Sequence, residues 1–228
     1  DETPAAPGSL YLRPTLIGTE PNIGAAAAPS ASALLFILTS PVGDYFSGGI
    51  RPLALAIETE QPRTTPTFGM VKSGANYAMA LGPTLKLKAE LGIDQVLFCP
   101  GGEVQETGAS NFMLIDAERV VTPALTTSFL HGVTRDSVLT LARDLGYQVE
   151  ERTISVDEVA EWAARPDAEA ALSGTAAVLS PVGRLVRNGE SFTVGNGGIG
   201  EHTMRLRQAL ADIQLGTAPD THAWTTTP

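Results

Sequence analysis

The chain has 228 residues, 25 of them acidic against 15 Lys and Arg, for a net charge of −10; 43% of residues are hydrophobic and 18% charged. That composition supports one large domain or two small ones and excludes a disordered chain, and its acidity excludes a phosphate-neutralising nucleic-acid face. The single cysteine, Cys99, excludes an intrachain disulfide framework, fits a reducing cytosol and reads as a small buried hydrophobe near a strand end.

In chain order, residues 9–20 read as an extended segment ending in a turn at Glu20-Pro21-Asn22. Residues 25–32 are small and Pro-containing, a surface loop. The longest apolar run, 33–38, is far too short to span a membrane and predicts a strand over 33–39. The opening residues carry no signal-peptide pattern. Residues 40–49 are dense in Pro and Gly and read as a connector between domains. Beyond them strands and helices alternate. A helix is predicted over 74–91, kinked or broken at Gly82-Pro83. Thr134 is expected to cap a helix with apolar positions Val138, Leu141, Ala142 and Leu145, closed by Gly146. Ser155 and Glu158 form a capping box ahead of Val159 and Trp162. Residues 203–215 are amphipathic through Met204, Leu206, Leu210 and Ile213, and Gly216 ends them. Strands are expected at 95–98, 112–115, 148–154, 176–179 and 191–194.

Four runs carry chemistry. The first is Lys72-Ser73-Gly74-Ala75-Asn76-Tyr77. A lysine held at the bottom of a cleft, its pKa lowered by desolvation, forms imines with aldehydes; taken alone, a lysine is more often a solvated surface charge. The second, Glu106-Thr107-Gly108-Ala109-Ser110-Asn111-Phe112, opens on a carboxylate that by itself reads as a turn residue. The third, Gly132-Val133-Thr134-Arg135, leads into a helix start, where backbone N–H groups and a hydroxyl suit a phosphate as well as an N-cap. The fourth is Gly174-Thr175-Ala176, weak in isolation. Two patterns read as decoys. Gly195-Asn196-Gly197-Gly198-Ile199-Gly200 fits a Gly-x-Gly-x-x-Gly spacing but has no following strand and acidic partner, and reads as a loop. His131, His202 and His222 are dispersed, without metal-ligand spacing, so no metal site is expected.

Taken together and in this order, the four runs resemble the branched-chain amino acid aminotransferases, fold-type-IV pyridoxal-phosphate enzymes, nearly continuously over residues 9–228. The resemblance implies pyridoxal 5'-phosphate as cofactor. It implies that Lys72 forms the imine with it and moves the proton, that Tyr77 hydrogen-bonds its phenolic oxygen, and that Glu106 keeps its ring nitrogen protonated, with Asn111 completing that pattern. It places Val133, Thr134 and Thr175 on the phosphate and Ala176 on the substrate carboxylate. Arg13, in Tyr11-Leu12-Arg13-Pro14, would pair with the side-chain carboxylate of glutamate at the substrate entrance, and Tyr45 would close over the substrate; unaided, they read as an ion-pair partner and a hydrophobic latch. Four positions depart from the pattern. Ala75 replaces a glycine, Ala109 stands where some members carry a hydroxyl, and Ala177 and Ser180 occupy the positions of a redox Cys pair.

The implied architecture is α/β (α+β) with two domains around a cleft: 1–43 the C-terminal part of a small domain, 44–52 a connector, and 53–228 a large pseudo-barrel domain that binds the cofactor. The implied reaction moves the amino group of leucine, isoleucine or valine to 2-oxoglutarate, in a cytoplasmic homodimer. The Arg13-Pro14 run, well over a hundred residues into the chain in the family, and the missing initiator Met lead to the expectation that material before Asp1 is cut away or not represented. The alternatives are a D-amino-acid transaminase or aminodeoxychorismate lyase of the same fold, and an inactive large-domain fragment.

Overall fold

The computed structural model describes residues 8–22, 28–42 and 49–226. Two compact units emerge, Asp1–Gly49 and Ile50–Pro228.

In the first unit, β1 (Ser9–Gly18) and β2 (Ala33–Val42) pair antiparallel along their whole length, from Ser9↔Val42 to Gly18↔Ala33. The side-chain period of two puts Leu12, Leu16, Leu35 and Ile37 on one face and Ile17, Leu34 and Leu38 on the other, and all seven are exposed. Beyond the last pair, Thr19 N–H donates to Ser32 O at 3.0 Å and Glu20 Oε2 accepts from Ala31 N–H at 2.9 Å. Glu20 therefore continues the ribbon rather than only turning the chain.

The second unit is built on an eight-stranded mixed sheet. Its elements are β3 (Leu53–Glu58), α1 (Gly74–Leu91), β4 (Gln95–Phe98), β5 (Asn111–Ile115), β6 (Arg119–Thr122), α2 (Val133–Asp144), β7 (Gln148–Glu151), α3 (Val156–Ala163), β8 (Glu169–Gly174), β9 (Val178–Arg187), β10 (Glu190–Thr193) and α4 (Glu201–Gln214). The strand order is β4-β3-β9-β8-β5-β6-β7, with β10 paired to β9. β3 runs parallel to β4 and β9, and β6 parallel to β7, while β5, β8 and β9 pair antiparallel in series. This is the mixed α/β class that the sequence predicts.

Alternation along the central strands splits the core. Phe112 and Leu114 of β5 join Leu172, Leu97 and the α3 residues Val159 and Trp162 in one cluster. Met113 and Ile115 join Val138, Leu139 and Leu141 of α2 and Leu206, Leu210 and Ile213 of α4 in a second. A third cluster packs Ala80 of α1 on Val96, Phe98 and Val186. Every β5 residue is buried, as expected of a strand covered on both faces. Cys99 is buried where β4 ends, and burial pushes its thiol up.

Several boundaries differ from the sequence reading. α1 stays continuous through Pro83. The ring removes the N–H that Met79 O would accept, but Met79 and its neighbour Gly82 lie on the exposed side, where the carbonyl is not shut away from solvent. α2 begins at Val133 with Gly132 as N-cap, so Thr134 lies inside the first turn and caps nothing. In α3, Ser155 Oγ accepts from Glu158 N–H at 3.1 Å, but the Glu158 carboxylate turns to Arg152 (2.6 and 2.9 Å) instead of completing the box. The strand expected over 176–179 starts two residues later, at Val178, and runs on to Arg187 as β9, with 176 and 177 in the turn before it; β3, β6 and β8 have no counterpart among the predicted strands.

Candidate active site

Lys72 precedes the N-cap of α1, Ser73. The buried Asn76 amide donates to Phe68 O (3.0 Å) and Val71 O (2.8 Å), strapping the preceding loop to the first helical turn. Gly69 closes that loop against another: its N–H donates to Thr127 O at 2.9 Å, and a Cβ there would collide with the Ser128 backbone. So held, Lys72 Nζ donates to Tyr77 Oη at 2.9 Å and lies 5.4 Å from the Tyr77 ring centre. Lys72 is exposed, not desolvated as its proposed chemistry suggested; its setting in this chain is a tyrosine hydroxyl and a fixed loop.

A tight turn places Glu106 beside Asn111. Thr107 N–H donates to Ser110 O at 2.9 Å, and Glu106 bridges Asn111. Glu106 is 2% exposed. Its Oε1 accepts from Leu130 N–H at 3.0 Å, and its Oε2 from Asn111 Nδ2 at 3.2 Å. Asn111 Nδ2 also donates to Leu130 O at 2.9 Å. The same Asn111 side chain lies against Gly132, where any Cβ would collide with its Oδ1. Asn111 thus ties the carboxylate to the segment that opens α2. Burial pushes the Glu106 carboxyl up to about 7, opposed first by Arg63 and then by the Leu130 N–H and Lys72.

Arg63, absent from the sequence reading, completes this array. Also 2% exposed, its Nη1 makes an ion pair with Glu106 Oε1 at 2.6 Å, out of line for a hydrogen bond, while its Nε donates to Gly108 O at 3.2 Å. Its guanidinium lies 5.5 Å from the Tyr77 ring centre. The available signal was an arginine nine positions before Lys72 in a Thr- and Pro-rich run, which nothing local distinguishes from a surface charge.

The α2 N-terminus has no side-chain cap, so first-turn N–H groups at Val133 and Thr134 remain open. β5–β8 pairing sets Asn111 opposite Ser173, whose buried hydroxyl has no hydrogen-bond partner among the described residues. The chain then turns through the exposed Thr175 and Ala176, with Ala177 O held by Arg207 Nη1 at 2.6 Å. Lys72, Tyr77, Glu106, Asn111, Val133 and Thr134 are thereby linked through Arg63 and Asn111, and Thr175 and Ala176 follow from the strand paired to Asn111. Arg13 belongs to the other unit, where it donates to Tyr11 Oη at 3.2 Å; Tyr45 lies outside the described residues.

The decoys also have physical explanations. Gly195–Gly200 does lead into α4, but that helix start is filled: Glu169 accepts from His202 N–H (2.9 Å), Thr203 N–H and Thr203 Oγ1 (both 2.7 Å), and a Cβ at Gly200 would strike its carboxylate. The histidines are engaged apart, His131 with Thr126 O, His202 with Tyr147 Oη and His222 with Asp144.

The arrangement brings together a lysine beside a tyrosine hydroxyl, a buried carboxylate next to an open helix start, and a small-residue turn on the strand paired to Asn111. Residues 2–185 match the amino-transferase class IV family, and the chain belongs to it. Among curated relatives, a probable branched-chain-amino-acid aminotransferase of Streptomyces coelicolor is 42% identical over 224 residues, covering 95% of this chain and 60% of the relative. Branched-chain-amino-acid aminotransferase 2 of Bacillus subtilis is 42% identical over 235 residues, 99% of this chain and 63% of the relative. Among solved structures, a T.th. branched-chain amino acid aminotransferase complexed with N-(5'-phosphopyridoxyl)-L-glutamate superposes with a TM-score of 0.80 at 26% identity, covering 96% of this chain and 69% of that one. The Escherichia coli branched-chain amino acid aminotransferase gives 0.77 at 28% identity, with 95% and 69% covered. The chain spans about 60% of the length of the first of these curated relatives. No helix among the described residues is long and apolar enough to cross a membrane.

Proposed function

We propose that this chain carries the cofactor-binding part of a branched-chain amino acid aminotransferase, using pyridoxal 5'-phosphate to move the amino group of leucine, isoleucine or valine to 2-oxoglutarate. The observation that carries the reading is the buried Glu106, locked by Asn111 and Leu130 beside the Lys72–Tyr77 pair. The residues present fit the cofactor. Glu106 Oε2 has a single, long donor and can accept a ring N–H. The uncapped α2 start and the unpartnered Ser173 hydroxyl fit a phosphate.

When bound, the cofactor supplies an aldehyde and an electron sink. Lys72 would take the proton from the substrate Cα and return it. Tyr77, already donated to by Lys72, would orient that amine and hold the phenolic oxygen. Glu106 would accept the ring N–H, steadied by Asn111. The N–H groups of Val133 and Thr134, with the hydroxyls of Thr134 and Thr175, would hold the phosphate. The Ala176 N–H would face the substrate carboxylate, with Arg13 on the glutamate side chain and Tyr45 over the substrate. In this reading 1–43 is the end of a small domain, 44–52 a connector and 53–228 the large domain, in a cytoplasmic homodimer. The names of the curated relatives and solved structures support the branched-chain substrate over the D-amino-acid and lyase alternatives.

The test is borohydride reduction of the chain with pyridoxal phosphate, followed by peptide mapping and a leucine transamination assay. The phosphopyridoxyl label is expected on Lys72 and lost in Lys72→Ala. A label that persists elsewhere in Lys72→Ala would sink the assignment. A second reading is cofactor binding without turnover; label on Lys72 without transamination would select it.

A further inference from the structure

Arg63 heads the largest fully buried side chains, and a buried arginine is costly unless its charge is used. It reaches across the site to both groups proposed to flank the cofactor, Glu106 through the ion pair and Tyr77 through the ring face. We propose that Arg63 is the positioning residue of this site, countering the burial of Glu106, turning its carboxyl so that Oε2 stays open to an incoming N–H donor, and steadying the Tyr77 ring beside it. The pyridoxal-phosphate reading enters only in naming that donor.

The distribution of donors supports this. Among the described residues, Oε1 faces two groups, Arg63 Nη1 and the Leu130 N–H, whereas Oε2 has only the long bond from Asn111. Both Arg63 and Leu130 thus crowd one oxygen and leave the other available. Nε is fixed to Gly108 O, in the turn that follows Glu106, so guanidinium and carboxylate belong to one rigid loop. A lysine, a point charge on a flexible stem, would keep the charge but not this fork. The charged groups acting on Glu106 are Arg63 and Lys72. Lys72 is exposed and its amine would be consumed by the cofactor, so the permanent charge opposing burial is Arg63. A proton shared between a carboxylate and a ring nitrogen lies on nitrogen only while the carboxylate is favoured as an anion. Arg63 supplies that preference without touching the reacting atoms.

The test begins with the ligand-free chain, carrying 13C at its Glu side-chain carboxyls, with Glu106→Gln identifying the Glu106 signal. Arg63→Gln should move the Glu106 midpoint up by at least one pH unit, and Arg63→Lys by less. If Arg63→Gln fails to fold, Arg63→Lys decides alone, again by an upward movement. An unmoved midpoint overturns the proposal. The second readout uses pyridoxal phosphate with 15N in its ring: the signal should be that of a protonated ring in the wild type and move toward the neutral ring in Arg63→Gln. A ring that stays protonated in Arg63→Gln also overturns the proposal. Absence of label on Lys72 would sink the proposed function instead, while the carboxyl titration would still judge Arg63.

Discussion

At the residue scale the site turns on one buried charge. A carboxylate taken out of water prefers its proton, and Glu106 is pushed up to about 7 despite Arg63 beside it. The folded group is therefore more basic than an unfolded glutamate, whose ordinary value is 4.5. A raised acid binds more protons folded than unfolded. Its contribution to stability is fully present below pH 4.5 and is lost as pH rises through 7. At about 1.4 kcal/mol per pH unit, the whole loss is at most about 3.5 kcal/mol. Glu106→Gln removes this titration, so the urea-unfolding stability of the ligand-free wild type relative to Glu106→Gln should fall between pH 4.5 and pH 8. A parallel pair of pH profiles would show that the burial is already compensated. Bound cofactor should reduce this loss, because a ring N–H at Oε2 favours the anion.

At the element scale, the helix starts are completed in different ways. α4 begins on a glycine and is completed from outside, by the Glu169 carboxylate on three donors. α2 also begins on a glycine, and no side chain among the described residues completes it. Both look alike in sequence, as glycine followed by hydroxyl-bearing turns, because the deciding partner for α4 lies more than thirty residues away on β8. Glu169→Ala should leave α4 with an uncapped start and cost about 1–2 kcal/mol, read as a lower urea midpoint with the proposed Lys72 label unaffected; a midpoint equal to wild type would mean that water serves the α4 amides as well. The same contrast explains what the sequence reveals. Lys72, Tyr77, Glu106 and Asn111 are legible because each sits in a short run whose spacing is itself the signal, and the fold's helices are legible from their apolar period. Arg63 is not, since its meaning comes from Glu106, 43 positions on. β3, β6 and β8 escape because buried strands show no alternation, and α1 keeps its proline because only the exposed side loses a bond.

At the scale of the whole molecule, the two units differ in how they are covered. Ile50–Pro228 has apolar clusters on both faces of its sheet, each closed by helices. The ribbon β1–β2 has neither: Leu12, Leu16, Leu35 and Ile37 on one face and Ile17, Leu34 and Leu38 on the other are all exposed. A two-stranded ribbon is marginal in water by itself, and contiguous exposed apolar surface drives association. Leu16 and Leu35 are direct cross-strand partners, so Leu16→Lys with Leu35→Glu puts an opposite-charge pair on one face without changing the register. The doubly substituted chain should sediment as a smaller species than the wild type at the same concentration. Its main unfolding midpoint should stay within about 0.5 kcal/mol, because surface substitutions outside the core clusters change little. Equal sedimentation would instead mean that this face of the ribbon does not drive association.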